Sequence, residues 1–339
     1  MRDRALYFPY INVPNQRWLT RMLLYWDSVA SIVPSEYRRR PEELAPHMQD
    51  LLAAGLVEQV FPAAYIFDVD DFDNPFINYL LERMRYRRQR GGFAPAGMRR
   101  FSRIHIEKMG GIADELVRLG VARPSTYPWY EVESWVAAAF MAYLATVLGR
   151  LPTINSTPVT NDLLSFRLLG ARYPTRENSQ VRAHSRAIIL NHIFPNPKQP
   201  VAVVELADFK ARHGDLLRRL RRTVEEKCIQ LASTPDVRTR DELTRIVAEE
   251  LAEQVRHVEE AMRVRWTDVV FSGLASILGA AGALSATPPD QLPARVFGGL
   301  SLAAATSQAF GIGRQRDDAF RSPLAYAAVA NVRFGNRDE

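Results

Sequence analysis

The stretch ALYFPYINVPNQRWLTRMLLYWDSVASIVP, residues 5–34, decides the fold class. Its start, Ala5–Val13, is aromatic and apolar, the composition of a strand. Pro9 interrupts that run and places it at an edge, a strand end or a bulge. Asn15 is positioned to cap the helix that follows. In that helix Trp18, Met22, Tyr25 and Trp26 recur at helical spacing. Val29–Val33 is a second short strand, stopped by Pro34. A strand–helix–strand opening predicts a parallel pair joined by a right-handed crossover. The fold class expected is therefore α+β and helix-rich.

Outward from this opening, Pro41–Val60 reads as a helix with Leu44, Met48, Leu51, Leu52 and Leu56 on one face. Asn78–Gln89 is an arginine-rich helix, and Gly91–Gly97 a loop by composition. Arg103–Lys108 alternates as a strand would. Ile112–Leu119 is a short helix closed by Gly120. Glu133–Leu148, with Trp135, Phe140, Tyr143 and Leu144, is the central helix of an N-terminal core. Leu151–Pro158 is turn-rich, Leu163–Leu169 is strand or helix, and Asn178–Ile193 is helical. The loop Asn196–Pro200 marks the expected boundary. It separates a mixed α/β domain, 1–196, from a helical one, 197–339. In the latter, Val201–Leu206 is a brief strand or an extended lead-in. Asp208–Ala232 and Thr239–Arg265 are helices, the second burying Leu243, Ile246, Val247, Leu251 and Val258 along one stripe.

A chain of 339 residues can bury a sizeable core without covalent staples. Cys228 is its single cysteine, which excludes an internal disulfide and a zinc finger and fits a reducing compartment. In its helical setting it reads as a packing residue rather than a nucleophile. The N-terminus lacks the apolar run and cleavage site of a signal peptide, so a cytoplasmic location is expected. The formal charge of +6 rests on arginine, since Lys108, Lys198, Lys210 and Lys227 are the only lysines. That balance alone is weak evidence for a nucleic-acid partner.

Near the C-terminus, 269–286 and 296–312 carry no charge. Three prolines lie between them in Thr287–Arg295, which predicts a helical hairpin over 268–312. Ser272, Ser276 and Ala280 are spaced by four, as are Gly279 and Ala283, so helix backbones can approach closely. A membrane span needs about 20 predominantly apolar residues. These segments are near or below that length and rich in small residues, so a buried hairpin is expected. Conditional insertion into a membrane is the alternative.

Arg83, Arg85, Arg87, Arg88, Arg90, Arg99, Arg100 and Arg103 share a window without acidic residues, interleaved with Tyr86, Phe93 and Phe101. Arginines clamp phosphates and aromatics stack on bases, so a nucleic acid is the first candidate partner. An anionic membrane surface or an acidic protein suits the same segment. A solvated helix face followed by a loop accounts for it equally well. The group Arg218, Arg219, Arg221 and Arg222 precedes Glu225 and Glu226 and is explained by pairing within its helix.

Asp68, Asp70, Asp71 and Asp73 form an acidic cluster of the kind that holds a hard cation. Phe72 breaks the calcium-loop pattern, which favours a surface turn. His105 and Glu107 fall on one face of the predicted strand, as a His–carboxylate pair needs, with Lys108 opposite. Glu205, Asp208 and Lys210 superficially resemble a nuclease strand, but Asp208 reads better as an N-cap or first-turn residue of the following helix. His184 and His192 are too far apart for a zinc pair on one helix. No P-loop, no dinucleotide-binding glycine pattern after a strand and no G-x-S-x-G is present. No cofactor is expected.

The opening stretch, the segment RIHIEKMGGIADELVRLGVA and the Trp129–Leu148 region resemble a bacterial family catalogued only as a domain of unknown function. The residues that carry the likeness are Tyr7, Pro9, Tyr10, Trp18, Tyr25, Trp26, Ile32, Val33 and Pro34. The resemblance implies a cytoplasmic bacterial protein and supplies no catalytic residues. Families pairing a soluble half with a hydrophobic hairpin are frequent in defence against phage and mobile elements, and such a role is the expectation here.

Three functions follow from the residues. The first is an interaction protein holding nucleic acid or another anion on its arginines, with C-terminal helices packing on a partner or a second copy. The second is a membrane-acting effector using the hairpin. The third is a metal-dependent hydrolase or nuclease using the Asp68–Asp73 cluster or His105 and Glu107.

Overall fold

A computed structural model describes residues 4–14, 17–89, 100–162, 164–165, 177–197, 201–285 and 319–335. The fold is α+β and helix-rich. The opening forms β1 (Arg4–Tyr7), α1 (Arg17–Tyr25) and β2 (Ser28–Ile32), and the two strands pair in parallel from Arg4 opposite Ser28 to Tyr7 opposite Ser31. Every residue of β2 is buried, as expected for a parallel strand covered on both faces. Strand β1 stops before Pro9. Asn15 lies outside the described residues.

The helix expected over 41–60 is instead a 3-10 turn (Pro41–Glu43), one short α-helix and a strand. After the short α2 (Glu36–Arg39), α3 spans Pro46–Ala53 and β3 spans Val57–Val60. Gly55, with φ of 67°, makes the break. Its N–H bonds the Leu52 carbonyl and the Leu56 N–H reaches the Leu51 carbonyl, a Schellman closure that needs a left-handed residue at this point. Val57–Val60 then pairs in parallel with β2.

Next come α4 (Asp73–Gln89), β4 (Phe101–His105), α5 (Ile106–Met109), α6 (Ile112–Arg118), β5 (Ala122–Pro124), β6 (Trp129–Glu133) and α7 (Ser134–Arg150). Helix α4 begins before the arginine-rich stretch, and the loop 91–97 lies outside the described residues. Strands β4, β6 and β5 form an antiparallel sheet that the sequence reading did not contain. Strand β7 (Ser156–Val159) lies in the stretch read only as turn-rich and pairs in parallel with β1. The parallel sheet has the order β3-β2-β1-β7.

Helix α7 is buried nearly throughout, including Phe140, Tyr143 and Leu144. Phe140 meets Phe76 and Phe72 edge-on, and the Tyr143 hydroxyl donates to the Phe72 carbonyl at 2.6 Å. Gly149 lets the helix end touch the sheet, because a Cβ there would stand 2.6 Å from the Ser156 carbonyl oxygen. Gly149→Ala must shift backbone rather than a side chain. We expect it to cost about 1–3 kcal/mol in urea denaturation, and a neutral result would show that β7 yields.

Beyond β7 lie α8 (Glu177–Ile193), α9 (Val203–Ala232), α10 (Val237–Ser285) and α11 (Ala325–Phe334). The chain forms two interleaved compact units. One comprises 1–185, 197–212 and 228–235; the other comprises 186–196, 213–227 and 236–339. The expected boundary at 196–197 is one of the crossings, and the others fall in or next to helices. One of these is at His213, where φ of −119° and ψ of 21° interrupt α9.

In the second unit the Arg186 guanidinium grips the Glu225 carboxylate, Nε to Oε1 at 2.6 Å and Nη2 to Oε2 at 2.9 Å, with both residues buried. Asn331 on α11 donates to the Ile193 carbonyl at 3.0 Å and to Glu259 Oε1 at 2.7 Å. On α10 the buried face is Thr244, Ala248, Leu251 and Val255. Leu243 and Ile246, expected inside, are exposed at 38% and 52%. Helix α10 runs through 268–285, and the rest of the expected hairpin lies outside the described residues. Among the described residues no helix is long and apolar enough to cross a membrane.

Candidate functional site: a pocket at the end of the parallel sheet

In the parallel sheet the chain moves from β1 to β2 and β3 on one side and returns to β7 on the other. The connections leaving β1 and β7 therefore diverge, and open parallel sheets hold ligands in the crevice beyond such a switch point. A pocket of about 640 Å³ lies there, a size typical of small-molecule sites. Pro9–Asn12, leaving β1, form one wall, and Asp162, Leu164 and Ser165, leaving β7, form another. Strand β4, α5, Trp129 and the first turns of α7 complete it.

His105 ends β4 and caps α5, its Nδ1 accepting the Glu107 N–H at 3.2 Å. That contact leaves Nε2 as the protonated nitrogen of the neutral ring. Nε2 points toward Glu36 at 3.5 Å, beyond hydrogen-bond geometry, and has no hydrogen-bond partner. Trp129 meets the imidazole edge-on with centroids 5.1 Å apart. Burial lowers the His105 pKa, opposed by Glu36 and Glu107 and reinforced by Lys108. The ring is thus held neutral.

The strand reading of 103–108 fails at His105. The helical turn of α5 turns Lys108 to the pocket that His105 also lines, whereas alternation had put them on opposite faces. Glu107 leaves the pair. It accepts from the Ser35 N–H and hydroxyl, each at 2.6 Å, and fixes the loop after β2 to α5. Lys108 is 4% exposed, and burial pushes its amine down to about 7. Among the described residues its Nζ has no hydrogen-bond or ion-pair partner. Ser165 is fully buried on the opposite wall, and its hydroxyl also lacks one, although its N–H donates to Asp162 at 2.6 Å. Lys108, His105 and Ser165 thus bring an amine, an imidazole and a hydroxyl to the lining of one cavity.

Of the basic segment, Arg100 and Arg103 lie on the pocket wall and are exposed. The Arg103 guanidinium sits 5.1 Å above the Trp129 ring. Arg87 stacks at 4.5 Å over Trp135, the neighbour of wall residue Ser134. Arg83, Arg85 and Arg88 are exposed on α4, while Arg90 and Arg99 lie outside the described residues. Asp68, Asp70 and Asp71 are exposed and Asp73 is half-buried in the first turn of α4. Asp71 accepts from Asn74, and burial raises the Asp73 pKa, with Asp71 adding to it. Among the described residues no three metal-ligating side chains converge. The nuclease-like stretch is helical, with Asp208 inside α9 rather than capping it, paired to Arg212 at the surface. Lys210 donates to the carbonyls of Leu23, Trp26 and Asp27 at the end of α1.

Sequence reasoning missed the roles of Ser165, Asp162 and Trp129. Ser165 and Asp162 carried no local signal, because their position depends on the pairing of β7 with β1. Fold and pocket together define a helix-rich α+β protein with a ligand-sized site at the switch point of a short parallel sheet. The chain matches no family model, no curated protein and no solved structure.

Proposed function

We propose that this chain binds a small anionic molecule in the pocket beyond β1 and β7. The observation that carries the reading is the buried Lys108, whose amine has no hydrogen-bond or ion-pair partner among the described residues, on the wall of a cavity also lined by the exposed Arg100 and Arg103. Arg100 and Arg103 supply positive charge that draws an anion in, and cleft geometry concentrates that field. Trp129 holds the Arg103 guanidinium flat and offers a face to an apolar portion of the ligand. The arginine-rich segment thus keeps the anion-binding role expected of it, with a small molecule in a cleft as the occupant.

The test is thermal unfolding in low salt with oxalate or inorganic phosphate as probes. Either anion is expected to stabilise the protein, by about 2.7 kcal/mol when present at a hundred times its dissociation constant. Arg100→Gln with Arg103→Gln should remove most of that gain. Indifference of the unaltered protein to both anions would sink the reading.

The exposed Arg83, Arg85 and Arg88 support a second reading, in which a longer anion such as a nucleic acid is held along α4. It predicts oligonucleotide affinity that falls steeply with salt. Unchanged affinity after replacing these three by Gln would remove it. Membership of the bacterial family of unknown function, a cytoplasmic setting and a part in defence against mobile elements stand with these readings as proposals.

A further inference from the structure

Lys108 is more than a counter-charge. A residue needed only to hold an anion gains from staying protonated at the mouth, where Arg100 and Arg103 already are. Lys108 is instead buried on the wall, without a carboxylate partner, in a cavity that His105 also lines. We infer that Lys108 is an amine nucleophile that captures the carbonyl carbon of a small anionic aldehyde or 2-oxo acid as an imine. This inference rests on the anion-binding reading of the same pocket.

The chemistry uses only what the pocket holds. The neutral amine attacks the carbonyl carbon with its lone pair, and the carbonyl π electrons move to oxygen. His105 and Ser165 line the same cavity as the attacking amine. The amine passes a proton to the oxygen to give the carbinolamine. Loss of the hydroxyl then forms the C=N bond. Both amine hydrogens leave with the carbonyl oxygen as one water, so no oxidant or reductant is consumed. Burial keeps a large fraction of the amine unprotonated near neutrality, which a solvated lysine lacks. The rim arginines suit the carboxylate or phosphate of such a substrate.

The chain itself makes the test clean, because it has only three other lysines, Lys198, Lys210 and Lys227, and mass mapping separates them from the α-amino group. The full chain is incubated with glyoxylate and sodium cyanoborohydride at neutral pH, and the reduced adducts are located by peptide mass mapping. Lys108 is expected to be carboxymethylated about tenfold faster than the other three lysines, given its lowered pKa. Oxalate, which has the shape and charge without an aldehyde, should slow that labelling. Lys108→Arg should abolish it while keeping a cation in place. Equal labelling of all four lysines, or none at Lys108, would overturn the inference. The thermal shift with oxalate on the same sample separates the two failures. A shift without a Lys108 adduct refutes the nucleophile and leaves the binding reading standing. Absence of both refutes both.

Discussion

Lys108→Met is expected to make the protein more stable and unable to bind its anion. The substitution removes an amine from a site that is 4% exposed and gives it no charge to desolvate. Replacing a buried, uncompensated cation by an apolar chain of similar length gains about 1–4 kcal/mol. The sign with pH follows from the two pKa values. In the unfolded chain Lys108 keeps its proton up to its ordinary 10.5, whereas in the fold it is lowered to about 7. Below about 7 both states are protonated and the folded protein carries the full penalty. Between these values the unfolded state binds more protons, so stability rises with pH by up to about 1.4 kcal/mol per unit. Above 10.5 both states are neutral and the rise ends. The difference between the unaltered protein and Lys108→Met in urea, taken from pH 6 to 10, should therefore shrink as pH rises. His105, Asp162, Arg100 and Arg103 line the same cavity and are common to both proteins, so the comparison isolates Lys108. A constant difference would mean that Lys108 stays charged in the fold. Loss of stability in Lys108→Met would mean that its role is structural.

The second large effect lies in the other unit. Arg186→Met alone, or Glu225→Gln alone, is expected to cost about 3–5 kcal/mol, because each breaks the two-point contact of a buried charge pair. The two-point contact leaves neither group a cheap route back to water, since each side chain is only 10% exposed. Arg186→Met combined with Glu225→Leu should recover most of the loss, because the desolvation penalty disappears with the charges. A double-mutant cycle in urea measures the coupling directly. Single losses below about 1 kcal/mol would place this pair with solvated surface bridges.

How far the fold was legible depended on how locally each element is specified. The opening β1-α1-β2 could be read because Trp18, Met22 and Tyr25 repeat at helical spacing between two short apolar runs. Strand β3 was absorbed into a helix because Val57–Val60 has no alternation of its own; only Gly55 separates it from α3. Strand β7 was unreadable, since Pro158 argues against any strand. It is tolerated because β7 is an edge and Leu6 of β1 lies opposite. The site was half legible. His105 and the arginines stood out by residue type. Lys108 was placed on the wrong face because a strand was extended through a turn that His105 itself caps. Ser165 and Asp162 carried no local signal, as their position depends on which strand β7 joins.

That joining has a consequence for how the molecule comes into being. Arg4 on β1 meets Ser156 on β7, 152 positions further along the chain. Closing so long a loop is slow, and rates fall as such distant pairings accumulate. At about 5–20 residues per second, a ribosome needs on the order of ten seconds to reach β7 after releasing β1. Throughout that interval β1 can pair with β2 on one side only, and its other edge stays open to stray strands. The cavity is consequently the last piece of the sheet to be assembled. A nascent chain whose β7 has joined the sheet has already passed its most aggregation-prone stage.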